Sequence, residues 1–163
     1  QGILDGYSPS SRLGRYSFFR RLEYQLMGES ITLHDLETRQ LMPLRDPRIH
    51  FAIVCASISC PRLASRAYVP EKLEEQLDAA ARAFINDNTR NRYDVQRKIA
   101  FVSKIFDWYG ADFAGTSGSV QQYIAAYASD PAVAALLAAD RFELRFVPYD
   151  WELNGTLPHQ TGP

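Results

Sequence analysis

The chain has 163 residues, which is the length of one ordinary domain. Apolar residues make up 46% and charged residues 23%, a composition typical of a globular protein and not of a disordered or fibrous one. The 18 basic and 19 acidic side chains leave a formal net charge of -1, which argues against a strongly basic nucleic-acid-binding surface and a polyanionic tail. No apolar run approaches the ~18 residues that a membrane-spanning helix needs.

The predicted elements of the first third are an irregular lead-in (1–15), two short strands (21–27 and 30–33) and a helix (33–41). Gly28, in the turn between the strands, supplies the positive φ that a tight hairpin needs. Thr32 is positioned to cap the helix, with Asp35 three residues later as its capping-box partner.

Residues 49–55 form the clearest predicted strand of the sequence. The run Ile-His-Phe-Ala-Ile-Val-Cys contains β-branched and aromatic residues and is continuously apolar after His50. Such a run favours a central strand that is covered on both faces. A serine-rich loop follows at 56–59 and leads to Cys60-Pro61.

The predicted elements of the remaining chain are a helix (70–85), a hairpin (93–95 and 99–102), three helices (103–113, 120–128 and 131–139) and a last strand (142–147). Asp130 is positioned to cap the last of these helices. Strands and helices are interspersed without a regular βαβ rhythm. We therefore predict an α+β fold, a small and mainly antiparallel sheet packed by several helices, in one domain at 7–154 with a loose tail at 155–163.

Chemistry-bearing side chains concentrate between Asp46 and Pro61, where His50, Cys55 and Cys60 occur together. A thiolate is reactive near neutral pH when a cation or a base lies close to it, and a histidine within hydrogen-bond distance can be that base. In a straight strand, however, His50 and Cys55 would lie on opposite faces and about 16 Å apart. Cys60, in a polar loop beside proline, is therefore the preferred accessible nucleophile, and Cys55 is the alternate.

Asp150 and Glu37 are the candidate carboxylates that would orient His50. The same residues also allow structural roles: Cys55 as an inert core thiol, a Cys55–Cys60 disulfide, and Asp150 as a turn cap. The spacing His-x4-Cys-x4-Cys lacks the paired short spacings of structural zinc motifs, and phosphate-binding glycine loops are missing. The sequence thus predicts neither a metal nor a cofactor.

Six motifs in one order resemble a single family, the domain of unknown function 547. They are Thr-Leu-His-Asp-Leu-Glu (32–37), Asp-Pro-Arg-Ile-His-Phe-Ala (46–52), Cys-x4-Cys-Pro (55–61), Leu-x3-Leu-Asp-x-Ala-Ala-Arg-Ala-Phe-Ile-Asn-Asp (73–87), Val-Ser-Lys-Ile-Phe-x-Trp-Tyr-x-x-Asp-Phe (102–113) and Phe-Val-Pro-Tyr-Asp-Trp-x-Leu-Asn (146–154). The resemblance covers about residues 7–154. It invites comparison with papain-like and transglutaminase-like cysteine hydrolases, by analogy of fold.

The resemblance carries further expectations. Many bacterial members look exported, which implies a periplasmic or secreted location; the chain itself starts at Gln1 without a visible leader. Members usually have a histidine at the position of Thr38, so a base at that position would be lost here. They also usually begin with a segment rich in Trp, Asn and Tyr, which implies that this chain is incomplete at its N-terminal end.

Two functions follow from these observations. The first is a cysteine-dependent hydrolase or acyl-transfer enzyme with Cys60 or Cys55 as nucleophile, His50 as base, and Asp150 or Glu37 as the orienting carboxylate. The second is a non-catalytic binding or assembly module whose cysteines are structural or disulfide-linked. In either case the expected partner is a small molecule or a peptide, with no nucleic acid and no membrane span.

Overall fold

A computed structural model describes residues 7–155 of the chain, and these residues form two compact units. The first unit contains residues 7–45, 55–60 and 150–155, and the second contains residues 46–54 and 61–149. Helices and short strands occur together, which confirms the α+β class. The single-domain assignment stays a prediction, and the tail beyond Gly155 lies outside the described residues.

The first unit contains the elements α1 (Arg12–Arg20), β1 (Glu23–Leu26), β2 (Glu29–Thr32) and α2 (Leu33–Asp35), followed by a π-helical stretch (Leu36–Leu41) and a 3-10 turn (Met42–Leu44). The predicted hairpin is confirmed, with β1 antiparallel to β2. Its two turn residues are Met27 and Gly28, with φ of 52° and 87°. Two consecutive positive φ angles are what a two-residue hairpin turn requires, and glycine adopts one of them without strain.

Helix α1 was not predicted, because residues 1–15 were expected to be irregular. The Ser11 side chain accepts a hydrogen bond from the Gly14 backbone N–H at 3.0 Å and so caps the helix. None of the residues of this helix is buried. A helix without a buried face does not need the periodic apolar pattern by which a helix is recognised in a sequence.

The predicted cap at Thr32 is confirmed. Its hydroxyl oxygen accepts from the Asp35 N–H at 3.0 Å and donates to the Asp35 carboxylate at 2.9 Å. The α-helical part is a single turn, and the continuation to Leu41 is π-helical. Arg45, with φ of 55°, ends the following 3-10 turn.

The second unit contains α3 (Ile49–Ala52), α4 (Leu73–Ile85), β3 (Arg92–Asp94), β4 (Ile99–Val102), α5 (Ile105–Trp108), α6 (Gly110–Ser117), α7 (Val120–Ala125), α8 (Pro131–Ala138) and β5 (Glu143–Phe146). The three strands form one sheet in the order β3-β4-β5. The predicted hairpin β3–β4 is antiparallel, whereas β4 and β5 are parallel. The strands thus form two small sheets rather than one, with two antiparallel pairs and one parallel pair among the described residues.

The predicted strand at 49–55 is wrong. Residues Ile49–Ala52 are helical, and extended backbone begins only at Ile53. The Asp46 carboxylate accepts from the Arg48 N–H at 3.0 Å, and the Asp46 carbonyl accepts from the Ile49 N–H, so Asp46-Pro47 starts a helical turn. A short helix that is buried on all sides has the same continuous apolar pattern as a buried strand.

The core of the second unit is largely aromatic. The Phe113 ring lies 5.7 Å from Phe51, 5.0 Å from Phe106 and 4.8 Å from Tyr123, measured between ring centroids. Helix α4 contributes a buried face: Leu77, Ala81, Phe84 and Ile85. This core holds α3, α5, α6 and α7 around one ring and so fixes the position of His50 on α3. Of the helices in residues 7–155, none combines the length and the apolar character needed to cross a membrane.

Candidate functional site

His50 is held by Asp112, a carboxylate other than the predicted Asp150 and Glu37. Its Nε2 atom lies 2.9 Å from Oδ2 of Asp112, on helix α6 of the same unit. The imidazole side chain is 1% exposed, whereas the Asp112 side chain is 43% exposed. The Asp112 carboxylate therefore fixes the orientation of the imidazole ring.

Aromatic rings fix the plane of the imidazole. Tyr109 stacks on His50 with 3.8 Å between ring centroids and 21° between planes, and Phe113 approaches edge-on at 5.6 Å. Tyr109 comes just before helix α6 and Asp112 lies within it, so one short segment supplies both the stacking ring and the carboxylate. The motif at 102–113 contained this signal: Tyr109, Asp112 and Phe113 are all among its fixed positions.

The two cysteines belong to the first unit, in a loop that is anchored by backbone hydrogen bonds to residues 150–154. The Ile58 N–H donates to the Glu152 carbonyl at 2.8 Å, and the Asn154 N–H donates to the Ala56 carbonyl at 2.9 Å. Ala56, directly after Cys55, has φ of 62°, a left-handed conformation that is rare for a residue with a Cβ atom. Backbone strain of this kind concentrates at functional sites and persists only where surrounding bonds enforce it.

The thiols have different environments, and the order of preference from the sequence is reversed. Cys60 is only 4% exposed, so the expectation that it is the accessible thiol is wrong. Its Sγ accepts a hydrogen bond from the Cys55 N–H at 2.9 Å. Cys55 is half-buried, with its Sγ 3.3 Å from the Ser57 hydroxyl, and no disulfide joins the two cysteines.

Tyr7, near the N-terminal end of the described residues, is hydrogen-bonded to the cysteine loop. Its hydroxyl donates to the Cys55 carbonyl at 3.0 Å. Burial, with a further contribution from the nearby Cys55, raises the pKa of Tyr7 well above its usual range, so the phenol stays protonated and remains a donor at neutral pH.

The two predicted orienting carboxylates lie in the first unit. Asp150 is exposed, and its Oδ1 accepts from the Glu152 N–H at 2.9 Å, which is the turn-cap arrangement. Its backbone N–H donates to the Ser59 hydroxyl at 2.9 Å, so Asp150 contacts the cysteine loop through its backbone. Glu37 is half-buried in the π-helical stretch, an irregularity that is frequent at functional sites. Next to it, the Thr38 hydroxyl donates to the His34 carbonyl at 2.8 Å.

Arg48, beside His50 in the chain, ties α3 to α4 within the second unit. Its guanidinium lies 2.6 Å from Asp46, 2.8 Å from Asp78 and 2.7 Å from Glu74. Its hydrogen bonds lower the pKa of the Asp46 carboxyl, which is therefore ionised at neutral pH. Within the part of the chain that the structure describes, no His, Cys, Asp and Glu side chains form a group of three able to hold a metal ion.

Comparison with known proteins identifies a family for this chain. The sequence profile of the family described as "Protein of unknown function, DUF547" matches residues 1–85, slightly more than half of the chain. The motifs at 102–113 and 146–154 lie beyond the matched residues. No curated protein and no solved structure matches the chain.

Proposed function

Since the chain belongs to this family of uncharacterised proteins, DUF547, we propose from its own residues that it is a cysteine-dependent hydrolase or acyl-transfer enzyme. His50 is the base, Asp112 is the positioning residue, and Cys55 is the preferred nucleophile with Cys60 as alternate. The observation that carries the proposal is the 2.9 Å contact between His50 Nε2 and Asp112 Oδ2.

The chemistry assigns each group a step. The imidazole takes the thiol proton, and the thiolate attacks an acyl carbonyl to form a tetrahedral intermediate. That intermediate collapses to a thioester as the leaving group takes the proton back from the imidazolium. Water or another acceptor then breaks the thioester and restores the thiol.

Two features of the cysteine loop support Cys55 in this role. It is the more exposed of the two thiols, and it precedes the left-handed Ala56. The buried Cys60 instead accepts a backbone hydrogen bond, which is typical of a thiol that shapes a loop.

Thiol alkylation across about pH 5 to about pH 9 tests the proposal, because a thiol without a base partner titrates near ~8.5. In Cys60→Ser the only thiol left for alkylation is that of Cys55, and in Cys55→Ser it is that of Cys60. We expect Cys55 to react well below pH 8 and to lose this reactivity in Asp112→Asn, whose side chain is exposed enough to leave folding intact. His50→Gln has the same expected effect, and circular dichroism checks its fold.

Matched controls are His34→Gln and Asp107→Asn, a histidine outside the proposed site and an exposed aspartate on α5. Both should react like the parent protein. If Cys55 and Cys60 both react only above about pH 8 and are indifferent to Asp112, the enzyme proposal fails.

A second function, a non-catalytic binding or assembly module, is favoured by burial. The His50 and Cys60 side chains are almost fully enclosed, and Asp150 caps a local turn. In such a module, Asp112→Asn lowers thermal stability while leaving thiol reactivity unchanged. The alkylation series therefore separates the two functions directly.

The periplasmic or secreted location is also a proposal, and family resemblance alone supports it. Fractionation of a host that expresses the natural gene should place the protein outside the cytoplasm. Recovery in the cytoplasmic fraction alone would overturn it.

A further inference from the structure

A cavity of about 330 Å³ lies beside helix α4 in the second unit. Its lining residues are Phe51, Pro61, Arg62, Ala80, Ala83, Phe84, Asp87 and Arg90. This volume is at the small end of the range for ligand pockets. The predominance of aromatic and aliphatic side chains, with a few charged groups at one place, is also typical of a ligand pocket.

Helix α4 creates the cavity through the spacing of its residues. Ala80, Ala83, Phe84 and then Asp87, just after the helix, are three, four and seven positions apart, so they share one helical face. The two alanines leave the space open, and Phe84 and Phe51, 5.0 Å apart between ring centroids, form an aromatic wall. The cavity is thus suited to a flat apolar group.

Among the charged residues at the edge of the cavity, Asp87 is already bound by neighbouring side chains of the protein. Asp87 is 13% exposed and is held by Arg90 at 2.5 Å and by the Thr89 hydroxyl at 2.6 Å. Although burial opposes it, these hydrogen bonds and the two nearby arginines keep the pKa of Asp87 below its usual value. The carboxylate is therefore ionised and engaged within the protein.

The guanidinium of Arg62 can bind an anionic group of a ligand. Its side chain is 82% exposed and reaches Asp87 only at 3.7 Å, an exposed ion pair of little energetic value. Together, two arginines and one aspartate give this edge a net charge of +1. One exposed guanidinium beside an apolar cavity is complementary to a molecule with one negative charge and an apolar body.

We propose that this cavity binds a small monocarboxylate with a flat apolar body, an arylacetate-like compound, with the carboxylate on Arg62 and the apolar body against the wall formed by Phe51 and Phe84. A dianion such as a phosphate monoester fits less well, because Asp87 repels a second negative charge. The inference goes beyond the proposed cysteine chemistry and does not depend on it, since the lining contributed by residues 7–155 contains no thiol and no imidazole.

Chemical-shift mapping by NMR on the full chain tests the inference with defined probes. The probes are phenylacetate, indole-3-acetate and hexanoate, each paired with its neutral amide. We expect the two aryl carboxylates to shift resonances of the lining residues in saturable fashion, and their amides to bind at least about tenfold more weakly because the charge-assisted bond is lost.

Two pairs of variants locate the site. Arg62→Ala should weaken aryl carboxylate binding at least about tenfold, whereas Arg66→Ala, an exposed arginine in the same segment, should not. Ala83→Phe should fill the cavity and abolish binding, whereas Ala79→Phe, exposed on the same helix away from the cavity, should not.

Three outcomes would overturn the inference. The first is that no carboxylate shifts the lining residues. The second is that amides and carboxylates bind equally, and the third is that Arg62→Ala and Ala83→Phe bind like the parent protein. Thiol alkylation of the same variants should match the parent protein, so a failure of this inference is distinguishable from a failure of the cysteine proposal.

Discussion

At the scale of single residues, Arg48 illustrates how one side chain fixes a local structure that the sequence leaves ambiguous. Its guanidinium binds Asp46 in its own turn, and Glu74 and Asp78 on α4. The Arg48 side chain is only 15% exposed, so these bonds are less screened than ordinary surface ion pairs. They hold the turn that starts α3, and α3 in turn carries His50.

Arg48→Met should lower the free energy of unfolding by about 2 kcal/mol, between the values for exposed and for buried ion pairs, because three carboxylates lose their partner. Urea unfolding followed by circular dichroism measures the change. Arg66→Met, at an exposed position, is the matched control and should be nearly neutral. An equal effect of the two substitutions would show that the Arg48 contacts contribute no stability.

The lowered pKa of Asp46 makes part of this stability depend on pH. Its contribution is present above the ordinary pKa of 3.8 and is lost as the pH falls through the lower folded-state value. Asp46→Asn removes this contribution at every pH. The stability gap between the parent protein and this variant should therefore be widest near neutral pH and shrink below pH 3.8. Urea titrations at several pH values measure the gap, and a gap that does not change with pH would contradict the assignment.

At the scale of elements, side-chain caps determine where several helices begin. Ser11, Thr32, Ser119 and Asp130 each accept a hydrogen bond from a backbone N–H of the helix that follows. Each cap satisfies a donor that the first helical turn leaves without an intrahelical partner. Caps at Thr32 and Asp130 were predictable because the capping residue and its target are only two or three positions apart.

Asp130→Ala should destabilise the protein by about 1 kcal/mol through α8. The Asp130 carboxylate accepts from the Ala132 N–H at 2.8 Å and from the Val133 N–H at 3.2 Å, and alanine can accept neither bond. Thermal unfolding measures the loss. Asp130→Asn keeps the cap oxygen and should retain most of the stability; a loss as large as that of alanine would argue against capping as the cause.

At the scale of the whole molecule, the second unit contains the larger and more deeply buried set of packed aromatic rings. Phe113 contacts rings from α3, α5 and α7, so helices distant in sequence share one packing centre. The first unit contains the hairpin β1–β2, the pairing of the cysteine loop with residues 150–154, and a smaller, half-buried set of rings: Tyr7, Phe18 and Phe19. Large-to-small substitutions should therefore have their greatest effect in the second unit.

Phe113→Ala should reduce the free energy of unfolding by about 4 kcal/mol, because it removes a buried ring and leaves a cavity. Phe113 is 0% exposed, whereas Phe146 on β5 is 37% exposed and provides the matched control. Phe146→Ala should have a much smaller effect in the same denaturant titration. Similar losses for both would contradict the placement of Phe113 at the centre of the core.

The predictions that the structure confirmed rest on short-range chemistry. The hairpin turn at Gly28, the cap at Thr32 and the amphipathic helix, which was predicted from Pro70 and begins at Leu73 after a 3-10 turn, each depend on residues a few positions apart. The predicted helix at 103–113 proved to be two helices that meet at Tyr109. The family, too, was recognisable from motifs alone, and its profile match confirms it.

The sequence by itself determined the α+β class, the turns, most helices and the family, because these depend on local backbone preferences and on the order of motifs. Only the tertiary structure decided that residues 49–52 are helical, that Cys60 is buried and that Asp112, 62 positions from His50, is its carboxylate partner. The physical reason is that an apolar run records burial and not backbone geometry. In addition, the packing of segments that are distant in sequence determines which group contacts a buried polar side chain.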